Sequence, residues 1–309
     1  MFEISDAEVW PELSLKSWKD TYQTLHMWTQ IVGKTRLTLS PKINHWWNST
    51  LYVTSRGLTT SPIPYANRIL EIQFDFIDHT LSITTSSGEA RTMALAPKSV
   101  ATFYSEYMNL LHSLDIHIEI KTTPDEVPNP VPFEKDFENA WYDRKYAHRF
   151  WKLLVQADRL MKEFRKDFLG KCSPVQFFWG SFDLAVTRFS GRRAPQRPQA
   201  DGITREAYSH EVSSCGFWPG SGNIEGPAFY SYASPEPDGF NGIPIEPKTA
   251  FYNPPTHGYI LMYDEVRKSG NPDRTILNFF QSTYTAAALL GNWNRAELER
   301  KQFLRTLAA

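Results

Sequence analysis

Residues 68–76 read Arg68-Ile69-Leu70-Glu71-Ile72-Gln73-Phe74-Asp75-Phe76, with Leu70, Ile72, Phe74 and Phe76 alternating with Glu71, Gln73 and Asp75. A period of two sends successive side chains to opposite faces. This stretch therefore predicts a half-buried antiparallel strand with one face on the core and one polar. Similar runs at 35–39, 50–56, 80–85 and 91–95 predict further strands around it. Helical spacing brackets the group. A first amphipathic helix is expected over 14–31, stopping near Gly33, and a closing helix over 97–114 carries Val100, Phe103, Tyr107, Leu110 and Leu111 on one side.

The pattern recurs downstream. Gly33-Lys34 is matched by Gly170-Lys171 after a second helical stretch, 145–169. Trp46 followed by Leu51-Tyr52-Val53-Thr54 is matched by Trp179 followed by Leu184-Ala185-Val186-Thr187. Glu71-Ile72 corresponds to Glu211-Val212, and Leu95 with Val100 to Leu261 with Val266, before a last helix at 274–290. The offset drifts in the loops 192–205 and 219–257, where insertions are tolerated. These matches predict an α+β fold of two pseudo-repeated halves, each helix, antiparallel strands, helix, with a cleft between them. Residues 116–120 alternate like one more strand. The next stretch has four prolines in nine residues, Pro124 to Pro132, which makes it an extended connector. The division is thus 1–122, a connector at 123–134, and 135–309.

A net charge of −1 supplies no field for a phosphate backbone, which argues against nucleic acid as a partner. No apolar run approaches the roughly 18 residues of a membrane span. The acidic start, Met1-Phe2-Glu3-Ile4-Ser5-Asp6, lacks the features of a secretory signal. With only two cysteines, Cys172 and Cys215, a reduced cytoplasmic protein is expected. The aromatic content of 14%, including 10 Trp, exceeds what a simple core demands and suggests rings facing a ligand.

The run 173–192, SPVQFFWGSFDLAVTRFSGR, resembles the hallmark segment of a bacterial domain-of-unknown-function family, number 5996. So do Asn44-His45-Trp46-Trp47, Arg56-Gly57-Leu58-Thr59-Thr60, Phe74-Asp75-Phe76-Ile77-Asp78-His79 and Ser209-His210-Glu211-Val212-Ser213-Ser214. The resemblance spans 44–214 and implies membership and a cytosolic bacterial setting, but no activity. This chain has Gln176 where that family often has histidine, so no imidazole is implied there.

Arg188, Arg192 and Arg193 surround Ser190-Gly191, and Arg56-Gly57 repeats the Arg/Gly pair in the first half. Guanidinium forks bind carboxylates and phosphates in two-pronged fashion, and glycine allows close backbone approach. A solvated turn, with Arg188 paired to Asp183, is the plain alternative. His210, Glu211 and His45 are the candidate acid/base groups, and Trp46 and Trp179 the candidate walls; for the histidines, a buried structural role is the alternative. Asp75, in Asp75-x-x-Asp78-His79, is a further ligand-binding candidate. That run matches no familiar metal spacing, and no metal is expected. The leading expectation is an enzyme acting on a small anionic metabolite held by Arg188 and Arg192 in the cleft. A non-catalytic binding or sensing protein and a partner-binding subunit stand beside it. The sequence names no cofactor and fixes no oligomeric state.

Overall fold

The computed structural model describes residues 9–300. Among these residues the fold is mixed α+β, with seven α-helices and two six-stranded antiparallel sheets. Helix α1 is Leu15–Leu39. Strands β1 (Tyr52–Val53), β2 (Gly57–Thr59), β3 (Ile63–Tyr65), β4 (Arg68–Asp75), β5 (Thr80–Thr85) and β6 (Ala90–Ala94) follow, and then α2, Val100–His112. Helix α3 (Arg144–Arg165) opens the second part. After it come β7 (Gln176–Phe178), β8 (Asp183–Arg193), the short α4 (Gly202–Ala207), β9 (His210–Trp218), β10 (Ala228–Ser234), β11 (Phe251–Asn253) and β12 (Gly258–Met262). Helices α5 (Tyr263–Arg267), α6 (Pro272–Leu290) and α7 (Arg295–Leu298) end the described chain.

The first sheet has the order β1-β2-β4-β5-β6 with β3 on β4, and the second β11-β12-β10-β9-β8-β7. Their edges meet where Leu51 and Phe177 exchange both backbone hydrogen bonds, at 2.9 and 2.8 Å. Helix ends are fixed by local chemistry. Asp143 caps α3 by accepting from Lys145 N at 2.8 Å, Ser99 caps α2, and Asn271 caps α6 ahead of Pro272. One hydrophobic core runs across the 123–134 connector. Within it Trp28 stacks on Phe103 with ring centres 4.6 Å apart, and Phe150 on Phe182 at 5.0 Å.

Three local expectations fail. The predicted strand 35–39 is the end of α1, which runs past Gly33: Thr35 Oγ1 donates back to Ile31 O at 3.2 Å and receives the Tyr107 hydroxyl at 2.7 Å. Tertiary partners override the β-branched composition there. Gly33 therefore caps nothing. It lies inside the helix, at a point where a Cβ would collide with the Trp179 indole, whereas Gly170, its supposed counterpart, lies in a loop against Leu298 and Phe168. Finally, residues 116–120 form no strand, although Ile116 is fully buried.

Candidate functional site

The second sheet shows why some candidate residues converge and others do not. In β8–β10 register, Ala185 faces Gly216 and Thr187 faces Ser214, which in turn face Tyr230 and Tyr232. With period two, Asp183, Ala185, Thr187 and Phe189 share one face with Ser214, Gly216, Tyr230 and Tyr232. The opposite face, with Leu184, Val186, Phe217 and Phe229, packs on α3 and α6.

The first face floors a cavity of about 540 Å³. Lys34 and Leu37 of α1 and the segment His45-Trp46-Trp47 wall one side, Asp125 and Glu126 of the connector another. The insertion between β8 and β9 closes the mouth with Ile203, Thr204 and Ala207 of α4. This is the size of a small-molecule site, with aromatic rings and polar groups both prominent in its wall. A smaller hollow of about 290 Å³ adjoins it across Asp183, Tyr230 and Tyr232 and is completed by Trp218 and Ile260.

At one end Asp183 is buried, accepting from Ser181 Oγ at 2.5 Å and from the Tyr230 hydroxyl. No cation pairs with it among the described residues. Burial raises its pKa against the lowering effect of those two donors. Tyr230 reaches it across Gly216, where any Cβ would strike the phenol. Glu126 sits on an exposed turn of the connector, but its carboxyl folds in over Gly180, 2.6 Å from where a Cβ would stand. Its surroundings, then the Asp183, Asp125 and Asp201 carboxylates, raise its pKa as well. Gly180 is held from behind by His26, whose Nε2 bonds its carbonyl at 2.8 Å. Gln30 fixes the connector by two bonds to the Asp125 backbone, 2.8 and 2.9 Å, and Lys34 pairs with the Asp125 carboxylate over the Trp179 ring.

At the other end His45 is buried, with Nδ1 3.0 Å from Glu206 O and Nε2 2.6 Å from Lys171 Nζ. A carbonyl only accepts, so Nδ1 carries the proton and Nε2 accepts from the ammonium; this tautomer is inferred from the partners. His45 and Trp46 both have left-handed backbones, φ 58° and 61°, a costly arrangement for two bulky residues and one that clusters at functional sites. Burial, then Lys171, lowers the His45 pKa.

Trp46, Trp179 and His45 thus line the cavity. Trp179 donates to Ser49 O at 2.6 Å, and Lys42 lies 4.5 Å over the Trp46 ring. His210 lies just outside it, its ring 5.8 Å from that of His45. Arg193, the last residue of β8, pairs in register with His210.

The remaining candidates lie elsewhere. Arg188 is on the opposite face of β8, buried against Phe164 at 3.5 Å and Tyr284 at 4.3 Å and donating to Phe164 O near the end of α3. It does not pair with Asp183, because alternation places the two on opposite faces. Arg192 is on the surface, bonded to Glu211 at 2.7 Å and to the Gly291 carbonyl. Arg56 pairs with Asp75 and with Asp78, at 2.6 Å to the latter, at a corner of the first sheet. Among the described residues no group of His, Cys, Asp or Glu is arranged to hold a metal. No helix there is long and apolar enough to cross a membrane.

Sequence reasoning named Asp183 only as a partner for Arg188 and Lys171 only within the repeat, and it passed over Tyr230 and Tyr232. The available signal was the alternation Asp183-x-Ala185-x-Thr187-x-Phe189, which separates Asp183 from Arg188.

The fold defines a class, mixed α+β proteins whose second sheet carries an aromatic cavity on one face and helices on the other. The chain belongs to the family of unknown function DUF5996, whose model matches residues 10–300. No curated protein and no solved structure matches it.

Proposed function

We propose that the protein is an enzyme that binds a small metabolite in the aromatic cavity and moves protons on it with Asp183 and Glu126. The observation carrying this reading is a buried Asp183 with two side-chain hydrogen-bond donors and no cation partner among the described residues, facing a cavity of about 540 Å³. An isolated carboxyl in an apolar site resists ionisation and can hold a proton for transfer, and a second, more open carboxyl supplies the complementary acid or base. Both carboxyls have raised pKa values, which supports exchange of a proton nearer neutrality than free side chains allow. Trp46 and Trp179 offer flat faces to hold the ligand. The anionic character expected of the ligand rests on cations at the cavity, not on Arg188 or Arg192.

The order helix, antiparallel strands, helix on both sides of the connector supports a duplicated unit with its site between the halves. Unpaired Cys172 and Cys215 support a cytoplasmic setting.

The test incubates wild-type protein and Asp183→Asn with a metabolite extract and follows depletion and product formation by mass spectrometry. Turnover by wild type alone, with ligand still retained by the variant, fits the proposal. A compound retained unchanged by both proteins makes the cavity a binding or sensing site. Equal turnover by both overturns the role of Asp183.

A further inference from the structure

We propose that Lys171, with His45, His210 and Arg193, forms an oxyanion site at the cavity mouth that takes the carboxylate or phosphate of an elongated ligand. The inference rests on the cavity being a metabolite site; of the arginines that the sequence suggested as the anchor it keeps Arg193 and replaces Arg188 and Arg192.

Lys171 is exposed beside the cavity rather than lining it, but it is held in place. Its carbonyl accepts from Phe189 N at 3.0 Å, tying its backbone to β8. Its ammonium lies 5.1 Å from the Phe189 ring centre, 5.4 Å from that of Trp47 and 2.6 Å from His45 Nε2. All three partners are cavity wall. An ammonium has three donors, and one is satisfied by His45.

Neither Lys171 nor Arg193 has a carboxylate partner among the described residues. The two nearby acids are already taken: Glu206 pairs with Lys42 at 2.8 Å and Glu211 with Arg192 at 2.7 Å. The mouth therefore carries an uncompensated positive charge, while Asp183, Glu126 and Asp125 gather at the other end. Burial and then the neighbouring cations lower both imidazole pKa values, and an anion bound among them would act in the opposite direction. His45 is fixed for this role by its left-handed backbone and by the α4 carbonyls on Nδ1.

The separation of the two ends says what kind of molecule fits. Asp183 and Phe189 are six residues apart on one strand, about 20 Å at roughly 3.3 Å per residue. A ligand touching both ends is an elongated molecule with its carboxylate or phosphate far from its reacting group.

The experiment titrates inorganic phosphate into the full chain and follows the His45 and His210 imidazole NMR signals. Wild type should show saturable shifts and a rise in both imidazole pKa values. Lys171→Met should weaken phosphate at least tenfold, whereas Lys171→Arg and Asp183→Asn should keep it, because the charge remains in one and the acid end is remote in the other. Failure of Lys171→Arg to bind while folded, absence of saturable shifts in wild type, or equal affinity in Lys171→Met would each overturn the site. Phosphate binding does not use Asp183, so loss of this site leaves the acid/base proposal standing on the Asp183→Asn comparison.

Discussion

The Tyr230 hydroxyl on β10 donates to the Asp183 carboxyl on β8 by lying across Gly216 of the strand between them. Tyr230→Phe should leave Asp183 with Ser181 as its one side-chain donor, cost about 1–3 kcal/mol as an under-bonded buried group, and raise the Asp183 pKa further. Gly216→Ala should act on the same bond by pushing the ring aside, with an overpacking cost of about 1–3 kcal/mol. Urea denaturation measures both; a wild-type stability for Gly216→Ala would show that the ring does not need the bare strand.

Asp183 also sets a pH trend. Its folded pKa is raised by burial, so the folded chain keeps a proton that the unfolded chain releases. That contribution is complete below the unfolded aspartate value near 3.9 and is lost as pH rises through the folded value. Asp183→Asn has no such proton to lose. Its stability relative to wild type should therefore climb between pH 4 and neutrality, and a difference that stays flat contradicts the raised pKa.

His26 has the opposite sign. Burial lowers its pKa to about 4, against the help of the Gly180 carbonyl, so unfolding takes up a proton in acid. Stability is full above about 6.5 and should fall by about 1.4 kcal/mol for each pH unit down to about 4. His26→Gln should remove that slope in denaturation curves recorded across this window.

Gly33→Ala reverses an ordinary rule. In an exposed helix interior alanine gains about 1 kcal/mol over glycine. Here the added Cβ meets the Trp179 indole, so the variant should melt lower than wild type, and calorimetry decides the sign.

Much of the fold could be read from residue spacing. The alternation in 68–76 became β4, and the helical spacing around Trp151, Leu154, Met161 and Phe164 became α3, because each pattern has one apolar face that must be buried. Residues 35–39 misled because Thr35, Leu37 and Leu39 alternate like a strand, while Thr35 in fact bonds within α1 and to Tyr107.

For the site, the sequence by itself marked His45, Trp46 and Trp179 as cavity candidates, but it offered Asp183 as a partner for Arg188, although a spacing of five along one strand sends the two to opposite faces. It could not say which face of that strand is the pocket. That was decided when α3 and α6 covered the side with Val186 and Arg188, leaving Asp183, Thr187 and Phe189 toward the connector and α1. A strand supplies two faces of fixed composition, and only the packing of distant helices determines which one is buried in the core and which one meets a ligand.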